Sequence, residues 1–167
     1  MRYEIEIFRK NPEIFLQDLE FIFPGVNISI EFSKLYLIQG ELTNNEIKRS
    51  IQLLFCDPVV EKYRINYIKA NKELSMKKET KDKISDIWEV KIYYHSDVTD
   101  PGSSTIMKAL RDINIPVEDV VTGKRYLLKG KRLRYNDVEL ITKRVLANYI
   151  VEDAIITKIN GNPQQSS

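Results

Sequence analysis

Hydrophobic and polar residues alternate in two short segments of the chain, residues 3–8 and residues 88–93. A period of two is typical of a strand with one buried face. Each segment is followed by a capping residue and a proline, Asn11-Pro12 in the first half and Asp100-Pro101 in the second, which indicate the start of a helix. Apolar residues then recur at helical spacing. They are Phe15, Leu19 and Ile22 in the first half and Ile106, Leu110 and Ile113 in the second.

The next segment of each half predicts a β-hairpin. Residues 26–32 alternate as a strand, and Ser33-Lys34 is interpreted as the turn into a second strand at residues 35–38. In the second half, residues 117–122 lead to Gly123-Lys124 and then to residues 125–128. The glycine is expected to take a positive φ in this turn.

Each half then ends in a helix and a closing strand. Thr43-x-x-Glu46 and Asn136-x-x-Glu139 both have the spacing of a capping box, in which an acid three residues after the cap bonds back to the cap amide. Residues 56–61 and 147–152 correspond in position and precede the closing strands predicted at residues 59–68 and 150–159.

The order β-α-β-β-α-β therefore occurs twice, with a period of about ninety residues. This order is that of a ferredoxin-like, split βαβ unit in an α+β fold. The predicted domains are a first repeat at 1–68, a charged linker at 69–87, a second repeat at 88–159 and a polar tail at 160–167. An antiparallel sheet with helices on one face leaves its other face uncovered. We therefore expect the two sheets to pack together as a pseudo-dimer within one chain.

Composition excludes several classes of function. The 167 residues carry 26 Lys and Arg against 24 Asp and Glu, a net charge of +2, which argues against a nucleic-acid polyelectrolyte. No apolar run approaches the roughly 20 residues that span a bilayer, and the charged start lacks the apolar core of a secretion signal. One cysteine and one histidine leave no disulfide and no metal framework. We predict a cytoplasmic protein that binds neither nucleic acid nor membrane.

No catalytic constellation emerges from the candidate residues. His95 could pair with Asp97 or Asp100 and a nearby hydroxyl, but no nucleophile motif accompanies it, which favours a loop histidine beside a helix cap. Cys56 occupies the position of Ala147 in the other half, which favours a buried small hydrophobe over a reactive thiol.

The predicted second hairpin is basic, and its role stays open between two interpretations. It could contact an acidic partner surface, or its cations could guard an exposed edge against unwanted strand pairing. The basic residues are Lys124, Arg125, Lys129, Lys131, Arg132 and Arg134. The tyrosines on or beside strands are predicted to pack in the sheets rather than to stack on bases. They are Tyr36, Tyr63, Tyr67, Tyr126 and Tyr149.

Three motifs of the second half together resemble the PurS family, the small subunit of phosphoribosylformylglycinamidine (FGAM) synthase. They are D-V-T-D-P-G at residues 97–102, G-K at 123–124 and L-A-N-Y-I-V-E at 146–152. The family has a proline where this chain has Tyr149. The first half is similar mainly at F-C-D-P-V-V-E, residues 55–61, and departs from the pattern at residues 11–13 and 33–34.

The resemblance implies a non-catalytic subunit in de novo purine biosynthesis. Such a subunit bridges the ATP-dependent large synthetase subunit (PurL-type) and the glutaminase subunit (PurQ-type) and supports ammonia transfer between them. It needs no cofactor of its own, whereas the whole ligase complex uses ATP, Mg²⁺ and glutamine. The resemblance also allows two such chains to pair as a homodimer.

A partner interface is expected where the motifs lie: the start of the second repeat's first helix, the G-K segment and the last motif. The predicted residues are Asp100, Pro101, Gly102, Gly123, Lys124, Arg125, Asn148 and Glu152. Two rival functions remain. One is a small-molecule-sensing or regulatory module built from paired ferredoxin-like folds, and the other is a free-standing enzyme that uses His95 and Asp97.

Overall fold

The computed structural model describes residues 1–10, 24, 27–68 and 84–159. Within these ranges the chain forms six strands, three α-helices and two π-helical turns. The strands are β1 (Arg2–Arg9), β2 (Ser29–Gln39), β3 (Glu61–Ile68), β4 (Ile84–Tyr94), β5 (Asp119–Arg134) and β6 (Glu152–Lys158). The helices are α1 (Asn44–Ser50), α2 (Pro101–Asp112) and α3 (Tyr135–Ile141), and the π-turns are π1 (Ile51–Phe55) and π2 (Thr142–Leu146).

All six strands belong to a single antiparallel sheet with the order β3-β1-β2-β5-β4-β6. Strand β1 pairs with β2 from Arg2↔Gln39 to Phe8↔Ser33, and with β3 from Arg2↔Ile68 to Arg9↔Glu61. The α+β class is as predicted and is compatible with a ferredoxin-like fold. The elements of the second half repeat the order of the first: β1 corresponds to β4, β2 to β5, and β3 to β6.

The predicted turns at Ser33-Lys34 and Gly123-Lys124 are wrong, because β2 and β5 each run through them as one long strand. The side chains that reach a helix-covered core stay at even positions on both sides of each predicted turn. Strand alternation is therefore unbroken there. Among the described glycines only Gly40 has a positive φ, so Gly123 is extended and not a turn residue. The even-numbered residues that pack in or against a core are Ile30, Tyr36 and Ile38 in β2, together with Ile28 just before it, and Val120, Tyr126 and Leu128 in β5.

The chain divides into two compact units, and each unit draws on both halves of the sequence. The first unit contains Met1–Pro12, Ser33–Ser75 and Tyr93–Lys124, and the second contains Glu13–Phe32, Met76–Ile92 and Arg125–Ser167. Strand β2 enters the first unit at Ser33, and β5 enters the second at Arg125, so the predicted turns coincide with the points where the chain passes between units. The repeats at 1–68 and 88–159 describe the sequence pattern and stay a prediction.

Each unit has its own hydrophobic core between helices and strands. In the first unit β1 buries its odd-numbered residues beneath α1, π1 and α2, and the core is formed by Tyr3, Ile5, Ile7, Ile38, Ile47, Ile51, Phe55, Leu110, Ile115 and Val120. In the second unit the core surrounds the only tryptophan and is formed by Ile28, Ile30, Trp88, Val90, Ile92, Leu128, Leu133, Val138, Ile141, Leu146 and Ile156. The predicted stripe on α2 is confirmed, since Leu110 is fully buried and Ile106 and Ile113 pack against the same core.

Two of the predicted helix starts are confirmed and one is wrong. Thr43 caps α1 in a capping box with Glu46, and Asp100 caps α2 with Pro101 at the first position. Helix α3 instead begins one residue before Asn136, and the backbone N–H of Arg134 donates to Asp137 Oδ2 at 3.2 Å. The reason is that β5 continues to Arg134, so the cap position falls there, and Glu139 is left to pair with Lys143 at 3.4 Å.

Some sequence predictions fall outside the described residues. These are the helix start at residues 11–13, the apolar stripe of Phe15, Leu19 and Ile22, most of the linker and the polar tail. Strand β4 begins at Ile84, inside the segment predicted as linker at 69–87.

Candidate functional site

Asp100 holds the start of α2 against β5. Its Oδ1 accepts hydrogen bonds from the backbone N–H of Gly102 (2.9 Å) and Ser103 (3.2 Å) and from the hydroxyl of Thr122 (2.9 Å). Its Oδ2 accepts from the backbone N–H of Thr122 at 2.6 Å. Both carboxylate oxygens and the two helix amides are therefore committed to this junction.

Gly102 lies where α2 approaches β5 most closely. A Cβ at this position would stand 3.0 Å from Thr122 Cγ2, closer than nearly all real contacts. The hydroxyl of Ser103 donates to the carbonyl of Val120 at 2.5 Å and adds a second tie between helix and strand. The structure thus brings the predicted segments 100–102 and 123–124 together through Thr122, a residue that precedes the G-K pair and carries no sequence signal of its own.

Arg125 lies in the second unit and is nine-tenths buried, unlike an exposed contact residue. Its Nε donates to Glu89 Oε1 at 2.5 Å. A buried ion pair of this kind has a structural role in the sheet, because removing either partner would leave the other charge buried and uncompensated. Of the predicted G-K-R segment, Lys124 is half-buried and Arg125 is engaged within its own unit.

The turn at residues 148–152 is a closed hydrogen-bonded frame. The Oδ1 of Asn148 accepts from the N–H of Ile150 at 3.2 Å, and the N–H of Asn148 donates to Glu152 Oε2 at 2.9 Å. The N–H groups of Val151 and Glu152 both donate to the carbonyl of Asn148, at 3.0 and 2.8 Å. Asn148 and Glu152 therefore shape the turn, and Glu152 is only 5% exposed.

This frame presents two apolar side chains to solvent. Ile150 is 84% exposed and Tyr149 is 39% exposed. Sequence reasoning selected the frame residues Asn148 and Glu152 and missed these two, whose signal was an apolar pair where a predicted helix passes into the closing strand. Exposed apolar side chains on a rigid frame are typical of a binding surface when they cluster.

The first unit contains an equivalent turn at residues 57–61. Asp57 Oδ1 accepts from the N–H of Val59 at 2.9 Å, and the N–H of Asp57 donates to Glu61 Oε2 at 2.9 Å. The N–H of Glu61 donates to the carbonyl of Asp57 at 2.8 Å. Here too the frame exposes an apolar pair, Val59 at 77% and Val60 at 52%.

Both turns follow a π-turn that ends an α-helix. The N–H of Cys56 donates to the carbonyl of Ile51, and the N–H of Ala147 to that of Thr142, each over five residues at 2.9 Å. Cys56 and Ala147 pack against the cores of their own units. Burial, and after it the charges of Glu61 and Asp57, raise the pKa of the Cys56 thiol. The side chain of Cys56 is half-buried, so the predicted packing against the core is observed and the predicted burial is partial.

The two turns differ in the charge around them. Lys10 donates from Nζ to the carbonyls of Pro58 (2.8 Å) and Val59 (3.0 Å), so the first turn carries a cation. The pKa of Tyr149 in the second turn is raised by burial and then by the neighbouring Glu139, Tyr135 and Asp153. The charges beside the two exposed pairs therefore differ: Lys10 accompanies Asp57 and Glu61 at the first turn, whereas Glu139 and Asp153 lie near the second.

The catalytic interpretation of His95 gains no geometric support. The carbonyl of His95 accepts from the N–H of Val98 at 3.0 Å in a tight turn, and Asp100 uses both of its oxygens at the α2 start. Across residues 1–10, 27–68 and 84–159 no cluster of three metal-binding side chains occurs. In the same ranges no helix has the length and apolar character needed to cross a membrane.

The tyrosine prediction holds for two of five residues. Tyr36 packs on Phe55 with ring centroids 4.5 Å apart, and Tyr126 packs on Phe32 at 5.3 Å. Burial is the first cause of the raised pKa of each phenol. The prediction of buried packing is wrong for Tyr63, Tyr67 and Tyr149, which are 41%, 56% and 39% exposed, because β3 is an edge strand and Tyr149 lies in a turn.

Residues 87–160 match the family model of PurS, phosphoribosylformylglycinamidine (FGAM) synthase. This part of the chain belongs to the PurS family. No curated protein matches the chain. The PurS region contains the α2 start, the G-K pair and the second turn, and the match supports a role in FGAM synthase and purine biosynthesis. Membership also implies association with other FGAM synthase subunits.

Proposed function

We propose that the chain is a non-catalytic PurS-type subunit that bridges the large synthetase subunit and the glutaminase subunit of FGAM synthase in the cytoplasm. In the reaction of that complex, glutamine is hydrolysed to glutamate and ammonia. The ammonia then replaces the amide oxygen of formylglycinamide ribonucleotide, with conversion of ATP to ADP and phosphate. In this proposal the chain holds the two partners in register, so that ammonia passes between them without escaping to water.

The second turn is the observation that carries the proposal. Its apolar residues Tyr149 and Ile150 are displayed by a frame whose hydrogen bonds are already closed before any partner arrives. A preorganised surface loses little conformational entropy on binding, so more of the buried apolar area contributes to affinity. The contact therefore falls on Tyr149 and Ile150, with Asn148 and Glu152 as positioning residues.

The repeated element order supports a second part of the proposal, a tandem chain in which each half supplies one PurS-like repeat. The turn at 57–61 has the same hydrogen-bonded frame as the turn at 148–152 and an exposed apolar pair in the same place. One chain would then offer two related contact surfaces to its partners. Pairing of two such chains into a homodimer extends the same proposal.

The proposed subunit supplies no cofactor site. The ATP, Mg²⁺ and glutamine of the reaction would be bound by the PurL-type and PurQ-type partners. The protein's contribution is positioning, which acts on the transfer of ammonia and not on its reaction.

Reconstitution tests this function directly. The rate of FGAM formation is measured with the large and glutaminase subunits, with and without this chain, once with glutamine and once with ammonium salt as the nitrogen source. We expect the chain to raise the glutamine-driven rate severalfold and to leave the ammonia-driven rate nearly unchanged. If neither rate responds and the three proteins fail to co-elute in the presence of nucleotide and glutamine, the bridging function is wrong.

A further inference from the structure

Strand β3 is an edge of the sheet, with β1 on one side and no strand of the described residues on the other. The carbonyl of Val60, just before β3, accepts from the N–H of Lys10 on the β1 side at 2.9 Å. Even-numbered positions of β3 therefore bond to β1. Because these groups alternate along a strand, the N–H and carbonyl groups of Tyr63, Ile65 and Tyr67 point outward. An outward row of this kind is a template for another strand.

The opposite edge of the sheet, β6, has a different surface. Among the described positions of β6 only Asp153 is exposed, whereas in β3 Tyr63 is 41% and Tyr67 56% exposed. When the two strands are counted from their turn frames, Ala154 and Lys158 of β6 occupy the positions of these tyrosines. The first unit thus has aromatic side chains at its edge where the second has none.

The ring of Tyr67 is held in place by contacts within its own unit. It meets the ring of Tyr3 edge to face, with centroids 5.7 Å apart, and its hydroxyl donates to Asn44 Oδ1 at 3.2 Å. A side chain that is already oriented loses little conformational entropy when it binds. The exposed face of Tyr67 is therefore suited to pack against a partner.

The arginine of β3 does not guard this edge. Charged side chains on an edge strand commonly prevent pairing with another strand. Arg64, however, donates from Nη1 to Glu6 Oε2 at 3.2 Å, and its guanidinium lies 5.7 Å from the ring centroid of Phe8. Glu6 and Phe8 both belong to β1, so these contacts hold the cation over its own sheet and away from the edge.

We propose that β3 pairs antiparallel with β3 of a second copy of this chain, around a twofold axis at Ile65. Tyr63 of each copy then lies opposite Tyr67 of the other, and Ile65 lies opposite Ile65. These are the residues whose N–H and carbonyl groups point outward, so each pair exchanges both hydrogen bonds. Cross-strand aromatic pairs add to the stability of such a ladder. The inference rests on the proposed homodimer and names its surface, and it does not depend on the bridging function.

Charge selects this register from its neighbours. In it, Arg64 lies opposite Asn66 of the second copy and Lys62 lies opposite Ile68, so no like charges face each other. A shift by two residues in one direction sets Arg64 opposite Arg64, which is unfavourable. A shift in the other direction separates the tyrosines. The edge is therefore self-complementary in one arrangement, as a twofold contact between identical chains requires.

Sedimentation equilibrium of the isolated full-length chain tests the proposal. We expect a mass of twice the 19.6 kDa of one chain, and the double variant Tyr63→Glu/Tyr67→Glu should raise the dimer dissociation constant about tenfold or more, because glutamates would face each other in two places. Tyr63→Glu/Tyr67→Lys should bind more tightly than that variant, since each glutamate then faces a lysine of the other copy. Within one chain the two positions are about 13 Å apart, too far to pair.

Lys158→Glu on β6 is the matched control, because it changes the net charge as much as the glutamate pair does and should leave the dissociation constant unchanged. The two double variants lose the same tyrosines, so a loss of packing or folding alone would affect both equally. Equal weakening in both would therefore overturn the proposed pairing. A dimer that neither double variant weakens would overturn the β3 contact and leave the homodimer to another surface. A wild-type chain that stays monomeric would overturn the contact and the homodimer together. The reconstituted FGAM synthase rates test the bridging function separately.

Discussion

The turns at residues 57–61 and 148–152 use the same hydrogen bonds to hold different surfaces. In each, an Asx side chain accepts from the amide two residues on, and a glutamate four residues on accepts from the Asx amide. The exposed pair is Val59 and Val60 in the first and Tyr149 and Ile150 in the second. The backbone frame of the turn is thus independent of what the turn displays.

The surroundings of the turns diverge further than the turns themselves. Lys10 covers the carbonyls of Pro58 and Val59, whereas Glu139 and Asp153 lie near Tyr149. Surfaces that differ in charge favour different partners, because complementary charge steers encounter and like charge suppresses it. The comparison therefore separates a shared structural frame from two surfaces suited to different contacts.

The largest effect is expected from placing a carboxylate on each turn. Ile150→Asp should weaken complex formation tenfold or more, because a charge would be buried unpaired in an apolar contact. Val59→Asp should weaken complex formation much less, because the ammonium group of Lys10 is close enough to pair with the new carboxylate. Both sites are exposed, so the free energy of unfolding of either variant should change by less than about 0.5 kcal/mol. Co-elution with the partner subunits and the glutamine-driven rate measure the difference.

Equal losses in the two variants would show that both turns contact a partner with similar chemistry. No loss in either would remove the turns from the interface altogether. Ile150→Val serves as the matched control, because it keeps the apolar character and should retain most of the affinity.

A smaller effect is expected from removing the glutamate of each frame. Glu152 is buried, so Glu152→Ala should destabilise the protein by about 1–3 kcal/mol by leaving the Asn148 amide without its acceptor. Glu61 is more exposed, so water can replace its carboxylate as the acceptor of the Asp57 amide. Glu61→Ala should therefore lower the free energy of unfolding by about 1 kcal/mol or less. Urea unfolding of both variants gives the two values. Glu152→Gln, which keeps an acceptor oxygen, should recover part of the loss, and a loss larger at Glu61 than at Glu152 would contradict the burial argument.

The smallest effect concerns the helices that lead into the turns. Hydrogen bonds from the N–H of Thr43, at 2.8 Å, and from its hydroxyl, at 2.7 Å, lower the pKa of Glu46 at the start of α1. A lowered folded-state pKa contributes stability above the ordinary glutamate value, and this contribution is lost as pH falls through the folded value. The stability difference between the wild type and Glu46→Gln should therefore be constant near neutral pH and shrink below about pH 4.5.

Urea midpoints measured between pH 3 and pH 7 test this dependence. A difference that stays constant through pH 3 would show that the Glu46 charge does not contribute.

Local signals in the sequence were sufficient for several elements. Alternation located β1 and β4, the spacing of Asp100 and Pro101 located the start of α2, and Thr43 with Glu46 located the start of α1. Each of these depends on residues that are neighbours in sequence, and the physical preference acts within one turn or strand. The correspondence of residues 56–61 with 147–152 also predicted that the two turns are equivalent.

The prediction of two hairpins was wrong for an identifiable reason. Gly123-Lys124 has the composition of a turn, yet the core positions Val120, Tyr126 and Leu128 keep one alternation phase through it. Following the alternation of apolar positions through the predicted turn would have favoured one long strand over two short ones. The junction of Asp100 with Thr122 could not be predicted, because the residues are 22 positions apart and only the packing of α2 on β5 brings them together.

The sequence by itself determined the strand and helix starts, the capping residues and the membership of residues 87–160 in the PurS family, because each depends on a local pattern. Tertiary structure decided where β2 and β5 run, which residues of the interface motifs are exposed, and which backbone groups of the edge strand β3 point outward. These outcomes depend on which distant segments share a core. Asn148 and Glu152 form part of the motif, but their hydrogen bonds place them in the frame of the turn, and Tyr149 and Ile150 are the residues that we propose for the contact.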